Sequence, residues 1–381
     1  MRRWTFRILI SLVVAGIFAV AGGEAYRLHR QGKTREWSRI NLELGTESLE
    51  RIALGGVEQW ILTRGQRNAN PVLLWLQGGP GLPVFSWARR ISVLAGLEHD
   101  YTIVFWEQRG TGKSAAVAGN PDAIHLSKYV ADVCELGGML RQRFQKPVYL
   151  VGHSFGTILG LQAIQKCPET FQAYAGIAQF VNVFEHERQA TLFIQQAAER
   201  AGNREAMEAI QRIGKPPYGV DKIVDQRRWL GEFRGLDARF PPSNWRTFKD
   251  TAQAPEYTFV DLMRIVLDPY RARRLLQPEL YEVNFLAAPL QVKLPVWLIH
   301  GRKDALCQPA LVEQLYQHID APAGKEMVWF DEVAHMLPLE DPDGLRKVMQ
   351  RVRDGAMKPM ETVAPKPKPE PARGRKKYRR R

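Results

Sequence analysis

Six short β-rich runs place the strongest constraint on how this chain can fold: PVLLWL (71–76), YTIVFW (101–106), PVYLV (147–151), YAGIAQFV (174–181), PVWLIH (295–300) and EMVWF (326–330). They are apolar nearly throughout instead of alternating, which suits strands covered on both faces. Helix-period stretches separate several of them. In residues 127–144, Tyr129, Val130, Val133, Leu136, Leu140 and Phe144 mark one helical face. Strands alternating with helices imply a mostly parallel sheet flanked by helices, an α/β fold. Ahead of this pattern, SLERIALGGVEQWILTRG (48–65) reads as two β-rich runs joined by Gly55-Gly56, a hairpin signal. No internal repeat is present.

Between Val183 and Pro289 the alternation stops, and helix formers give way to Pro- and aromatic-rich pieces such as GKPPYG and FPPSNW. This interval is expected to be a helical cap (183–290) inserted into the core and lying over the edge where open α/β sheets keep their ligands. The core is thereby split into 47–182 and 291–357, with a linker at 26–46.

The formal net charge of +14 resembles that of a nucleic-acid binder until it is divided along the chain. Residues 358–381 carry +8 and residues 1–36 carry +5, leaving +1 for everything between. A nearly neutral body argues against a nucleic-acid-binding face, because phosphate recognition needs clustered cations on the folded surface. The basic, Pro-rich end (358–381) is expected to be disordered and open to contact with anionic surfaces. At the other end, the uncharged run from Ile8 to Gly23 reads as a membrane-targeting segment within residues 1–25. Retention as a single anchor, with the body outside the cytoplasm, is the leading expectation; cleavage near Ala19-Val20-Ala21 and export is the alternative. Cys134, Cys167 and Cys307 show no paired spacing and are read as packed thiols, with neither a disulfide nor a metal site.

In YLVGHSFGTILG, Ser154 follows a strand, precedes an apolar helix and has Gly152 and Gly156 at minus and plus two. A serine on so sharp a turn needs small neighbours, and the turn presents its hydroxyl as a nucleophile. A base and an acid should follow it in chain order. Of the downstream histidines, His186 falls in the cap, His300 ends a strand and His318 sits in a helix-like stretch. His335, in the loop DEVAHMLPLED, remains as the base. Asp304, in GRKDALCQP after a strand, is the expected acid, with Asp331 as its competitor. Acyl transfer also needs donors for the developing oxyanion. Gly79, in LQGGPGLP, and Phe155 should supply them through their backbone amides. No cofactor or metal is called for.

These motifs together, QGGPG at 77–81, WEQRGTGKS at 106–114, GHSFG at 152–156, GRKD at 301–304 and AHM at 334–336, resemble the proline iminopeptidase (prolyl aminopeptidase) branch of the α/β-hydrolases over about residues 48–355. The resemblance implies an α/β-hydrolase fold and a Ser-dependent enzyme that releases an N-terminal residue from peptides. Gln77, Glu107 and Phe155 depart from that branch's usual His, Asp and Trp. A substrate with a free α-ammonium would need a carboxylate partner. Glu185 and Glu187, at the start of the cap, are the candidates, while Trp229, Trp245 and Tyr257 could wall an apolar pocket. The same triad would serve an esterase, lactonase or small-amide hydrolase, and a non-catalytic binding protein would need a triad residue to be missing.

Overall fold

The computed structural model describes residues 2–239, 244–357 and 361–363. A hairpin, β1 (Thr46–Leu54) and β2 (Val57–Gly65), opens the core. Its turn residues Gly55 and Gly56 both have positive φ, 56° and 73°, which the two-residue turn requires. The strands β3 (Val72–Leu76), β4 (Thr102–Glu107), β5 (Val148–His153), β6 (Tyr174–Ile177), β8 (Val296–Gly301) and β10 (Lys325–Phe330) fall on the six apolar runs, β6 taking only the first half of 174–181, and a two-stranded side sheet pairs β7 (Leu290–Gln291) with β9 (Ile319–Asp320). The main sheet runs β1-β2-β4-β3-β5-β6-β8-β10-β11, where β11 is Glu361–Val363. Only the β1–β2 and β2–β4 pairings in it are antiparallel. Within the apolar strands the two-residue period still sorts side chains. Leu74, Val104, Leu150 and Leu298 face one core layer, and Trp75, Phe105, Val151 and Ile299 face the other.

The helices follow as α1 (Arg2–Trp37), α2 (Phe85–Leu94), α3 (Leu126–Phe144) and α4 (Phe155–Lys166). Between β6 and β7 come α5 (Val183–Ala201), α6 (Arg204–Ile213), α7 (Val220–Glu232), α8 (Asn244–Gln253), α9 (Phe259–Leu267) and α10 (Arg271–Tyr281). Then α11 (Pro309–His318), α12 (Leu337–Glu340) and α13 (Pro342–Asp354) complete the chain. The α3 and α4 helices pack on the first layer, and α2 and α13 on the second. The six helices between β6 and β7 form the cap.

Three features of the periphery bear on the expectations from sequence. The segment Ile8–Gly23 is helical, but among the described residues no helix is long and apolar enough to cross a membrane. The second half of α1 fastens to the cap. Arg27 donates to Tyr257 O (3.0 Å), and Gln31 donates to Ala254 O (2.7 Å) and Tyr257 O (3.0 Å). Second, Cys134 and Cys167 are not packed thiols but a disulfide, with Cα atoms 6.0 Å apart. Their 33-residue separation carries no local signal; the packing of α3 beside α4 brings them together. Third, Glu361–Val363, placed in the disordered tail by sequence, pairs in parallel with Val328–Phe330 of β10. The rest of that tail lies outside the described residues.

Candidate active site

Ser154 occupies the turn between β5 and α4 with φ 55° and ψ −123°, a backbone state that L-residues rarely hold. The flanking glycines make it possible. A Cβ at Gly152 would stand 2.7 Å from Gly156 O, and one at Gly156 would stand 2.0 Å from Leu76 O. The turn brings Ser154 Oγ within 2.9 Å of His335 Nε2, and His335 Nδ1 lies 2.8 Å from Asp304 Oδ2. The other Asp304 oxygen accepts the amides of Leu306 (2.9 Å) and Cys307 (2.8 Å). Burial opposes charge on Asp304, but the adjacent His335 imidazole outweighs it and holds the carboxyl below its ordinary range. Asp331 turns away to the surface, where it pairs with Arg302 at 3.1 Å.

Other buried groups hold this line in place. His153 Nε2 donates to His335 O at 3.0 Å; burial, then the neighbouring His335, pushes its pKa down to about 4, so the ring is neutral. His186, which sequence placed in the cap, is buried between the amides of Val181 and Gln308, 3.1 Å from each, and burial lowers it to about 3. Glu340 accepts the amides of Ala334, Met336 and Ala238, bracketing the His335 loop. The cap contributes backbone: His335 N and Met336 N both donate to Leu236 O at 3.1 Å, and Ala305 N donates to Gly235 O at 2.9 Å. Sequence reasoning missed these supports: His153 lies within GHSFG but carries no motif role there, and the others belong to no motif.

The glycine loop after β3 lies against Ser154. A Cβ at Gly78 would stand 3.0 Å from Ser154 Cβ and 3.4 Å from Oγ, so the first glycine of the doublet is fixed by close approach. The doublet itself was the available signal for Gly78. Gly79 follows with φ 137°. Phe155 N–H is the first amide of α4 and has no acceptor within the helix. Gln77 accepts from Trp75 Nε1 (3.1 Å) through its side chain and from Gln108 Nε2 (3.3 Å) through its carbonyl, bracing the loop without a histidine. Polar atoms of Asp304, Cys307 and His335 converge within 4.8 Å. Both Asp304 oxygens are already engaged, however, and burial pushes the Cys307 thiol up, keeping it protonated and a poor ligand.

The expected ammonium partners are placed differently. Glu185 lies at the cap surface and is bonded by Arg188 (2.6 and 2.8 Å) and Gln189 (2.8 Å). Glu187 is buried and held by both terminal nitrogens of Arg227, at 2.8 and 2.5 Å. Trp229 is buried and stacks on Phe233, Trp245 is 70% exposed, and Tyr257 is buried with its hydroxyl donated to Glu107.

Residues 94–342 match the family described as serine aminopeptidase, S33. The chain belongs to the S33 serine aminopeptidase family. Among its relatives, "Probable aminopeptidase YbaC" of Bacillus subtilis is 27% identical over 305 residues, which is 80% of this chain and 95% of that protein. Among solved structures, a proline iminopeptidase of Mycobacterium smegmatis is 20% identical with a TM-score of 0.58, covering 81% of this chain and 98% of its own. A bacterial membrane phospholipase A is also 20% identical, with a TM-score of 0.57, covering 92% and 98%. These structures share the α/β-hydrolase fold with this S33 member.

Proposed function

We propose that this protein is a serine hydrolase that acts by acyl transfer, an aminopeptidase of the proline iminopeptidase type that releases the N-terminal residue of a short peptide. The observation that carries this reading is the continuous line from Ser154 Oγ through His335 to Asp304. In this reading Ser154 attacks the scissile carbonyl while His335 Nε2 takes its proton. Asp304 holds the imidazole tautomer and stabilises the imidazolium. The amides of Gly79 and Phe155 receive the oxyanion, and His335 then protonates the leaving amine. Water repeats the sequence on the acyl-enzyme.

The test compares an amino-acid arylamide with its N-acetylated form. Free prolyl or alanyl arylamide should be cleaved and the blocked form left intact; equal rates would remove the aminopeptidase assignment. A second reading, hydrolysis of esters, lactones or amides without a free amine, is favoured by one observation: arginines already occupy Glu185 and Glu187. Fold likeness does not choose between the two, since its neighbours include both iminopeptidases and a phospholipase.

The Cys134–Cys167 bond also supports export of the body to an oxidising compartment. Removal of the segment up to Ala21 would leave Arg27 and Gln31 in place on the cap. In protein isolated from its source and denatured without reductant, alkylation should reach Cys307 alone. Labelling of all three cysteines would refute export in this form.

A further inference from the structure

Two arginines on the cap helices act on one carboxylate, Glu187. Arg227 on α7 takes both oxygens of Glu187. Arg273 on α10 acts electrostatically on the same carboxylate, and among the described residues it has no ion-pair partner of its own. Burial and the like charge of Arg227 lower the Arg273 pKa to about 10, still well into the charged range at neutral pH. Its Nη1 reaches across to the oxyanion loop and donates to Gly79 O at 3.2 Å, one residue beyond the glycine that abuts Ser154.

The remaining polarity of this face is unused. Arg273 Nε is buried without a hydrogen-bond partner, as are both polar side-chain atoms of Gln277. The two residues are four apart on α10 and therefore share a face. Buried donors left unpaired are costly, and so is a cation without a counter-charge. The Arg273 side chain as a whole is half-buried, so a carboxylate that met its guanidinium would supply that counter-charge through charge-assisted bonds, with the enclosed Gln277 amide behind it.

We infer that the cap wall beside the oxyanion loop is an anion subsite, in which Arg273, supported by Gln277 and by the Arg227–Glu187 pair, binds a carboxylate of the substrate close to the scissile bond. The inference rests on the serine hydrolase reading and narrows its substrate class: short acyl compounds bearing a carboxylate. The free C-terminus of a dipeptide and the distal carboxylate of a dicarboxylic monoester present the same chemistry.

Two substrate pairs test it, one member of each carrying this carboxylate: alanyl-alanine against its C-terminal amide, and 4-nitrophenyl hydrogen glutarate against 4-nitrophenyl butyrate. With the full chain, kcat/KM should favour the anionic member of at least one pair by about tenfold or more. That ratio should collapse toward one in Arg273→Gln and be partly kept in Arg273→Lys. A ratio at or below one in both pairs, or one unchanged in folded Arg273→Gln, overturns the inference. Should the variants not fold, the unaltered protein still decides: glutarate, but not glutaramide, should slow fluorophosphonate labelling of Ser154, and equal effects would count against the subsite. If Ser154 is not labelled and no substrate turns over, the hydrolase reading has failed. Thermal stabilisation by glutarate over glutaramide then supports the anion site by itself, and its absence removes the site too.

Discussion

Ser154→Ala and His335→Ala should each lower kcat by about 10⁴-fold or more while leaving the thermal melt nearly unchanged, because triad members act as one unit and their losses do not add. The unusual backbone at 154 does not confound the serine variant, since alanine meets the φ of 55° with the same Cβ. Asp304→Asn tests the orienting acid. One Asp304 oxygen faces His335 Nδ1 and the other takes two amides, so an amide group in its place would present a donor where acceptors are needed. The loss should approach that of the serine variant. Asp331→Asn removes a surface partner of Arg302 and should change kcat by no more than about twofold. Steady-state kinetics on any cleaved arylamide or ester reads all four variants. The reverse ranking of the two aspartates would reassign the acid, and covalent labelling away from Ser154 would displace the nucleophile.

The second large effect is a dependence of stability on pH set by Glu107. Its carboxyl is fully enclosed by the turn that follows β4, where a Cβ on Gly112 would stand 2.2 Å from it. Burial raises its pKa from 4.5 to about 8, even though the Tyr257 hydroxyl and the amides of Lys113 and Phe85 donate to it. Between those two values the unfolded chain has lost the proton and the folded chain keeps it. The folded state therefore binds more protons, and stability falls as pH rises, levelling off above about 8. The full span corresponds to about 5 kcal/mol. Glu107→Gln keeps a neutral hydrogen-bonding group of similar size and removes this titration. Urea unfolding at pH 5 to 9 should show the variant gaining on the parent as pH rises, and parallel curves would sink the assignment.

The strands were legible because a sheet covered on both faces needs uninterrupted apolar runs, a demand that each segment meets locally. Ser154, Asp304 and His335 were legible for a related reason: each sits at the end of such a strand, and steric demand wrote the glycines around the serine into the sequence. The supports were not. Glu340, His153 and Leu236 act through hydrogen bonds to or from backbone, and such bonds follow from where the chain passes instead of from any residue pattern. The same limit hid the Cys134–Cys167 bond. It also hid the roles of Glu185 and Glu187, whose arginine partners are three and forty residues away. Glu187 looked like a receptor for an amine because its partner on α7 could not be foreseen. The run Ile8–Gly23 was read by composition, which does not reveal that the same helix continues into side chains gripping the cap.

The two amides that meet Leu236 O belong to His335 and Met336, so the His335 loop hangs from the cap as well as from the sheet. Gly235 is bonded in the same way to Ala305, beside the acid. Residues 235–236 therefore hold the His335 loop and the Asp304 loop at once. The spacing between imidazole and carboxylate is set from the cap side as well as from the strand ends, so a change at Gly235 or Leu236 reaches both partners of that pair together.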